Sequence, residues 1–447
     1  VKSTHLGVSE ERPSKDIEVY LTRAAGLFSY ESNMVPFLMS NSGNRGMTAG
    51  KMLTQAVPLV NREAPLVQTR HDAARTFERT VGNFLAPVPG AGNAGEVVSI
   101  DDDYITIKRD SDGKKVKSGL YNNFPLNGEQ FIDSTPIVKV GQHVGDRSRL
   151  ADINYTADRV LALGANVNVA YMPWKGYNFE DSGVITESLA ERLSSEAMLR
   201  ENLFTNKGGV LNKEKFIVYN PGILSTVNAE KLNENGIIKE GESVEHGDIL
   251  VAYMEEVDLS DEERVLKSMN KLIAHPYRAR ALRWEHDTPG IVKYVRQNGR
   301  NIDVHVKTTQ PMVVGDKLVG RHGNKMIVSR IIPDDMAPHR RDDGERIDLM
   351  INPHGVIGRM NIGQMLETSA GKWAQKKGEP YVVENFSGDD YLGDIKEKLT
   401  SESLSIDDVL LDGVDGKEFE KPIFNGSQYI IKLKHTIDHK MKARDIG

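Results

Sequence analysis

Val314-Gly-Asp-Lys-Leu-Val-Gly-Arg-His-Gly-Asn-Lys-Met326 packs three glycines and two lysines into thirteen residues. Glycines at 315, 320 and 323 allow close backbone approach and positive φ. Lys317 and Lys325 stand at an even spacing. That lets both project to one side of a β layer or cross its turn together. Two further segments are as particular. Ile351-Asn-Pro-His-Gly-Val-Ile-Gly-Arg-Met-Asn-Ile-Gly-Gln364 shapes a Pro- and Gly-rich loop that delivers Arg359. In Val167-Asn-Val-Ala-Tyr-Met-Pro-Trp-Lys-Gly-Tyr-Asn-Phe-Glu-Asp-Ser182, Pro173-Trp174 and Gly176 fix a turn that presents Glu180 and Asp181.

Outward from these segments the local signal is mostly β. Glu96–Ile100 and Tyr104–Lys108 are β-branched runs, and Asp112-Gly113 marks a hairpin turn after them. Similar runs occupy Phe216–Tyr219, Ile249–Tyr253, Gly290–Arg296, Ile302–Val306 and Met326–Ile332. Helical patterns cover Glu187–Leu203, Glu262–Leu272 and Gly363–Lys377. Leu211–Arg300 is richer in charge, Asn and Glu, and reads as an inserted module. Many short strands with scattered helices predict a β-rich α+β architecture built on barrels. A chain of 447 residues implies two or three domains.

The net charge of −7 argues against a protein that coats nucleic acid indiscriminately, yet an acidic body can carry a positive cleft. Basic residues gather twice. Lys317, Arg321, Lys325 and Arg330 face only Asp316 in the first run. Lys432, Lys434, Lys440, Lys442 and Arg444 face only Asp438 in the second. The absence of cysteine excludes disulfides and thiolate zinc sites and fits a reducing compartment. Val1 to Arg12 lacks the apolar core of a signal peptide, and no segment approaches a membrane span. The expected product is soluble and intracellular.

Four motif-like stretches fail on their chemistry. Gly90-Ala-Gly-Asn-Ala-Gly95 has the spacing of a dinucleotide loop, but prolines precede it and a β run follows, so it reads as a turn. Gly50-Lys51 is followed by Met52, where a phosphate-binding loop needs Ser or Thr. His435 and His439 share helical spacing without the Glu of a zinc protease. Asp389, Asp390 and Asp394 read as surface carboxylates.

The three particular segments resemble the second-largest, β subunit of multisubunit DNA-directed RNA polymerase, in its C-terminal part. Asn44-Arg-Gly-Met47, Gln55-Ala-Val-Pro58, Leu161-Ala-Leu-Gly164 and Leu411-Asp-Gly-Val-Asp-Gly416 continue the resemblance in the family's order. So does Tyr429-Ile-Ile-Lys-Leu-Lys-His-Thr-Ile-Asp-His-Lys-Met-Lys-Ala-Arg444. The resemblance implies a double-psi β-barrel in a hybrid-binding domain at 61–202 and 301–430. It further implies the end of a fork region at 1–60, a flap-like insertion at 203–300 and a clamp entry at 431–447.

By the same resemblance, Lys317 and Lys325 would contact the RNA backbone near its growing end. Gln55, His435 and Lys440 would lie near the RNA–DNA hybrid or template. Arg45 and Arg359 would contact the nucleoside triphosphate, and Glu180 and Asp181 would stand near the substrate-borne magnesium without holding it directly. The family's catalytic Mg2+ belongs to the NADFDGD motif of the largest, β′-like subunit, and no such motif occurs here. The implied partners are an N-terminal β-like subunit, β′-like subunits and a promoter-specificity factor, with template DNA, nascent RNA and NTPs.

Several features depart from the family. Its β subunit is more than twice this length. The flap-like stretch is short, Met326 replaces a usual glycine, and Lys51 replaces a usual asparagine. A compact, divided β half resembles the split subunits of giant tailed phages, which implies an enzyme of the infected cell or the virion; the other reading is a piece cut or processed from a cellular enzyme. The alternative reading is a non-catalytic nucleic-acid-binding or assembly scaffold derived from a polymerase.

Overall fold

The computed structural model describes residues 2–17, 24–126, 129–205, 209–219, 222–256 and 277–434. Its centre is a closed ring of six strands: β1 (Ala165–Tyr171), β2 (Ser182–Thr186), β3 (Lys317–Gly320), β4 (Lys325–Ile332), β5 (Leu349–Ile351) and β6 (Ile423–Lys432). Around the ring the order is β1-β5-β2-β4-β3-β6, and β6 pairs back onto β1. The β1/β5 and β2/β4 seams are parallel; the other four are antiparallel. Side chains alternate across each strand, so Met326 and Val328 of β4 turn inward while Lys325 and Ile327 turn outward. Val167, Val169, Ile185, Leu318, Leu349 and Ile430 complete the barrel core.

Three helices support the barrel where the particular segments meet. They are α1 (Gly43–Leu53), α2 (His354–Arg359) and α3 (Gly363–Lys377), and α3 lies against β6. A separate sheet joins Ser195–Phe204, Asn301–Gln310, Gly290–Asn298 and Ser243–Val244. Beside it the hairpin Ile249–Glu256/Tyr277–Arg283 closes over Phe216, Trp284, Val292 and Val304, a core distinct from that of the barrel. A third small sheet contains Gly95–Ile100, Tyr104–Arg109 and Lys115–Gly119, with Ile105 and Ile107 beneath it. Among the described residues no helix is long and apolar enough to cross a membrane.

Two of the expected elements change type. The helix expected over Glu187–Leu203 ends at Arg192, and Ser195–Phe204 is a strand. Its helix-favouring residues yield to a ten-residue antiparallel partner, with Glu196–Lys307 and Arg200–Asp303 ion pairs at 3.0 and 2.8 Å across the seam. The strand expected at Phe216–Tyr219 is the end of the helix Lys213–Tyr219. Asn212 starts that helix by accepting the Lys215 amide on its side chain, and Phe216 reaches the module core. Helix Gly363–Lys377 forms as its pattern predicts. The helix expected at Glu262–Leu272, His435, Lys440 and nearly all of the clamp entry lie outside the described residues.

Candidate nucleic-acid and nucleotide site

The β3–β4 hairpin carries both lysines. Lys317 pairs with Ile327 and Val319 with Lys325, so both lysine side chains leave the same face of the hairpin. Lys325 is exposed and Lys317 half-buried. The hairpin tip does the reverse with its charge. Arg321 turns inward and donates to Glu367 at 2.6 Å and to the Val67 carbonyl at 2.7 Å, with Glu78 at 3.6 Å. His322 bonds the other oxygen of Glu367 and contacts the Asn41 amide. Arg321 therefore does not belong to the exposed basic run. Nor does Lys432 to the second run: it is fully buried, with its Nζ donating to the carbonyls of Gln310 and Pro311 at 3.2 and 3.1 Å.

Two carboxylates share the Arg321 guanidinium, and their titration diverges. Burial pushes Glu78 up to about 7, with Arg321 opposing. Burial also acts on Glu367, but the charge of Arg321 and the bonds from His322 and Arg321 outweigh it and hold that carboxyl at about 2. This buried network escapes a sequence reading that treats charges as surface. The available signal was the small-residue face of α3, where Ala370, Gly371 and Ala374 follow Glu367 at helical spacing.

The segment after β1 is fixed from within. Asn178 accepts the Trp174 amide at 2.8 Å and donates to the Met172 carbonyl at 2.7 Å, while Trp174 is buried. The chain then passes through Glu180 at φ +52°, an uncommon conformation for a non-glycine residue, and reaches Asp181. The Asp181 carbonyl accepts the Ile327 amide at 2.8 Å, tying this turn to β4. At the end of α2, Arg359 forms an ion pair with the Asp181 carboxylate. Glu180, Asp181, Asn324, Lys325, Arg359 and Gln364 line one cleft. Asn324 and Gln364 are additions that sequence reasoning did not single out.

Arg45 and Gln55 do not line this cleft. On α1, Arg45 donates from Nη1 to the Gly323 carbonyl at 3.2 Å, two residues before Lys325. The Gln55 carbonyl accepts the Lys434 amide at 3.1 Å, and the neighbouring Leu433 amide donates to the Lys317 carbonyl at 3.1 Å. Gln55 and Lys317 thus flank one stretch of backbone. Gly323 has φ +72°, and a Cβ there would stand 2.8 Å from the Arg45 carbonyl oxygen. Gly323→Ala is expected to cost about 1–2 kcal/mol in the left-handed conformation alone and to push α1 off the hairpin. A lowered melting midpoint checks this.

The described residues include no group of three or more His, Cys, Asp or Glu able to hold a metal ion. Glu180 and Asp181 are neighbouring carboxylates, and Asp181 is engaged by Arg359.

Comparison with known proteins now assigns the lineage. Residues 91–447 match the family model described as RNA polymerase Rpb2, domain 6. The DNA-directed RNA polymerase subunit beta of Mycoplasmopsis synoviae strain 53 is 33% identical over 451 residues, covering 97% of this chain. The subunit of the same name from Clostridium botulinum strain Hall is 33% identical over 453 residues, and that from strain Alaska E43 is 32% identical. The chain spans 37% of the length of the first relative and 36% of the second. A six-stranded ring with two lysines on one hairpin face, and a family match over most of the sequence, lead to one assignment: the chain belongs to the RNA polymerase β-subunit family.

Proposed function

We propose that this chain is a subunit of a multisubunit DNA-dependent RNA polymerase, grips the RNA–DNA hybrid, and supplies triphosphate contacts to an active site completed by a β′-like partner. The observation that carries the reading is the gathering of Lys325, Asp181, Glu180 and Arg359 in one cleft, with Lys317 on the same hairpin face as Lys325. In this reading the six-stranded ring is the family's double-psi barrel, the 203–300 module is a flap, and the described residues before Ala165 belong to the fork and hybrid-binding regions. An N-terminal β-like subunit, template DNA and a promoter-specificity factor complete the assembly.

In the reaction, the RNA 3′-hydroxyl oxygen attacks the α-phosphorus of an NTP. The hydroxyl gives up its proton to solvent, a new P–O bond forms as the bond to pyrophosphate breaks, and negative charge grows on the leaving group. Lys317 and Lys325 would hold the RNA backbone by charge without reading sequence. Arg359 would exchange its Asp181 partner for triphosphate oxygens, and Arg45 would approach from α1 to stabilise the leaving pyrophosphate. Gln55, His435 and Lys440 would border the hybrid. Magnesium, held mainly by the β′-like partner, would supply further charge stabilisation, with Glu180 and Asp181 nearby.

The test is primer extension by the co-expressed complex on an RNA–DNA scaffold. Arg45→Ala should raise the KM for NTP about tenfold, as loss of a hydrogen bond to a charged group predicts. A complex that assembles but extends no primer would assign the chain to the scaffold role instead.

A further inference from the structure

A second positive surface lies away from the cleft. The helix Phe77–Leu85 packs on the hairpin of Thr156–Ala157 and Val160–Leu161. Gly82 permits the approach, since a Cβ there would stand 2.9 Å from the Arg159 carbonyl oxygen. Along this seam runs a groove of about 630 Å³, lined by Arg75, Arg79, Arg147, Arg149 and Arg159 and by no carboxylate. Arg75 meets Asp72 at 2.6 Å and Arg149 meets Asp152 at 2.5 Å. Arg79, Arg147 and Arg159 form no ion pair among the described residues.

Arg149 is the most telling member. Its side chain is 5% exposed, and its Nη1 is buried without a hydrogen-bond partner. Burial depresses its pKa, Asp152 opposes, and the like charge of Arg159 adds to the depression. Asp72, Asp146 and Asp152 are the carboxylates that act on these five arginines, so positive charge is in excess along the groove and favours an anion there. At the rim, on the same helix, Phe84 is 88% exposed. An acidic peptide has no particular use for that ring, whereas a nucleobase stacks on it while arginine forks take the phosphates.

We propose that this groove binds a single-stranded stretch of nucleic acid, with phosphates on Arg79, Arg147 and Arg159 and a base on Phe84. It shares no lining residue with the Lys325–Arg359 cleft, so it does not rest on the polymerase reading. The hairpin turn supplies a way to separate binding from folding. Asp158 and Arg159 have φ of +49° and +68°, the paired left-handed positions of a two-residue turn that favours Asn and Gly. A glycine at 159 would sit more easily there than arginine does.

The experiment is fluorescence anisotropy of a labelled oligothymidylate of about 12 nucleotides with the full chain, at several salt concentrations. Arg79→Glu combined with Arg159→Glu should weaken binding at least about tenfold and reduce the slope of log affinity against log salt by about 1.4. Phe84→Ala should weaken binding several-fold and leave the slope unchanged. Arg159→Gly should weaken binding while melting no lower than the parent. Unchanged affinity in all three variants would overturn the proposal and leave the oligonucleotide on the barrel lysines. So would equal competition by a polyglutamate peptide of matched charge, which would make the groove a docking site for an acidic protein. The readout is binding rather than extension, so loss of the polymerase reading would leave this test intact.

Discussion

Primer extension by the assembled complex is expected to fall about 10³-fold when Lys317 and Lys325 are both replaced by alanine, with assembly unchanged. Removing one preorganised charge from a site of transition-state stabilisation typically costs about 10²–10³-fold. On the proposed reading both groups act on one RNA end and are not additive, so each single replacement should account for most of the loss. The substitutions spare the barrel core: Lys325 is exposed, Lys317 is half-buried, and the inward side of the hairpin is filled by Leu318, Met326 and Val328. Scaffold extension, measured beside co-purification of the partner subunits, separates a chemical defect from an assembly defect. Unchanged extension would remove both lysines from the site.

The second large effect concerns stability. Glu367→Ala should lower folding stability by about 3–5 kcal/mol, because it strands a buried guanidinium. Arg321 and Glu367 side chains are 3% and 1% exposed. Their pair joins the hairpin tip to α3, and Glu367 also accepts the Tyr429 amide of β6 at 3.3 Å. Replacing both partners by apolar residues, as in Arg321→Met with Glu367→Leu, should cost less than the single change. The pH dependence has two limbs of opposite sign. Glu367, held at about 2 against an ordinary 4.5, contributes stability that is present above 4.5 and lost as pH falls toward 2. Glu78, raised to about 7, binds its proton more tightly when folded, so its contribution is lost as pH rises from 4.5 through 7. Melting midpoints across that range should flatten in Glu78→Gln.

Turn chemistry and β-branched runs made much of the architecture legible. Met326–Ile332 read as a strand after glycines that allow positive φ, and Gly363–Lys377 carried its own helical pattern. Ser195–Phe204 was opaque because its pairing partner lies about a hundred residues away, at Asn301–Gln310. Phe216–Tyr219 read as a strand on its β-branched Ile217 and Val218, which the structure leaves exposed on a helix started by Asn212. Within the site, spacing allowed the lysines one face of a β layer or a shared turn crossing, and the strand pairing gives the first. Charge alone could not distinguish Lys325, which faces out, from Arg321 and Lys432, which are buried with their partners.

The path of the chain around the ring also sets an order of folding. β1 and β6 meet through Ala165 and Ile430, so the final seam waits for almost the whole described chain. The open four-stranded sheet from Ser195 to Gln310 draws all its strands from between β2 and β3 and has them before β6 is synthesised. Loop-closure entropy therefore favours the module as an early folding unit and makes barrel closure the late, slow event. Until β6 arrives, β1 and β3 each present an open edge, the state in which a nascent chain is most exposed to pairing with a neighbour.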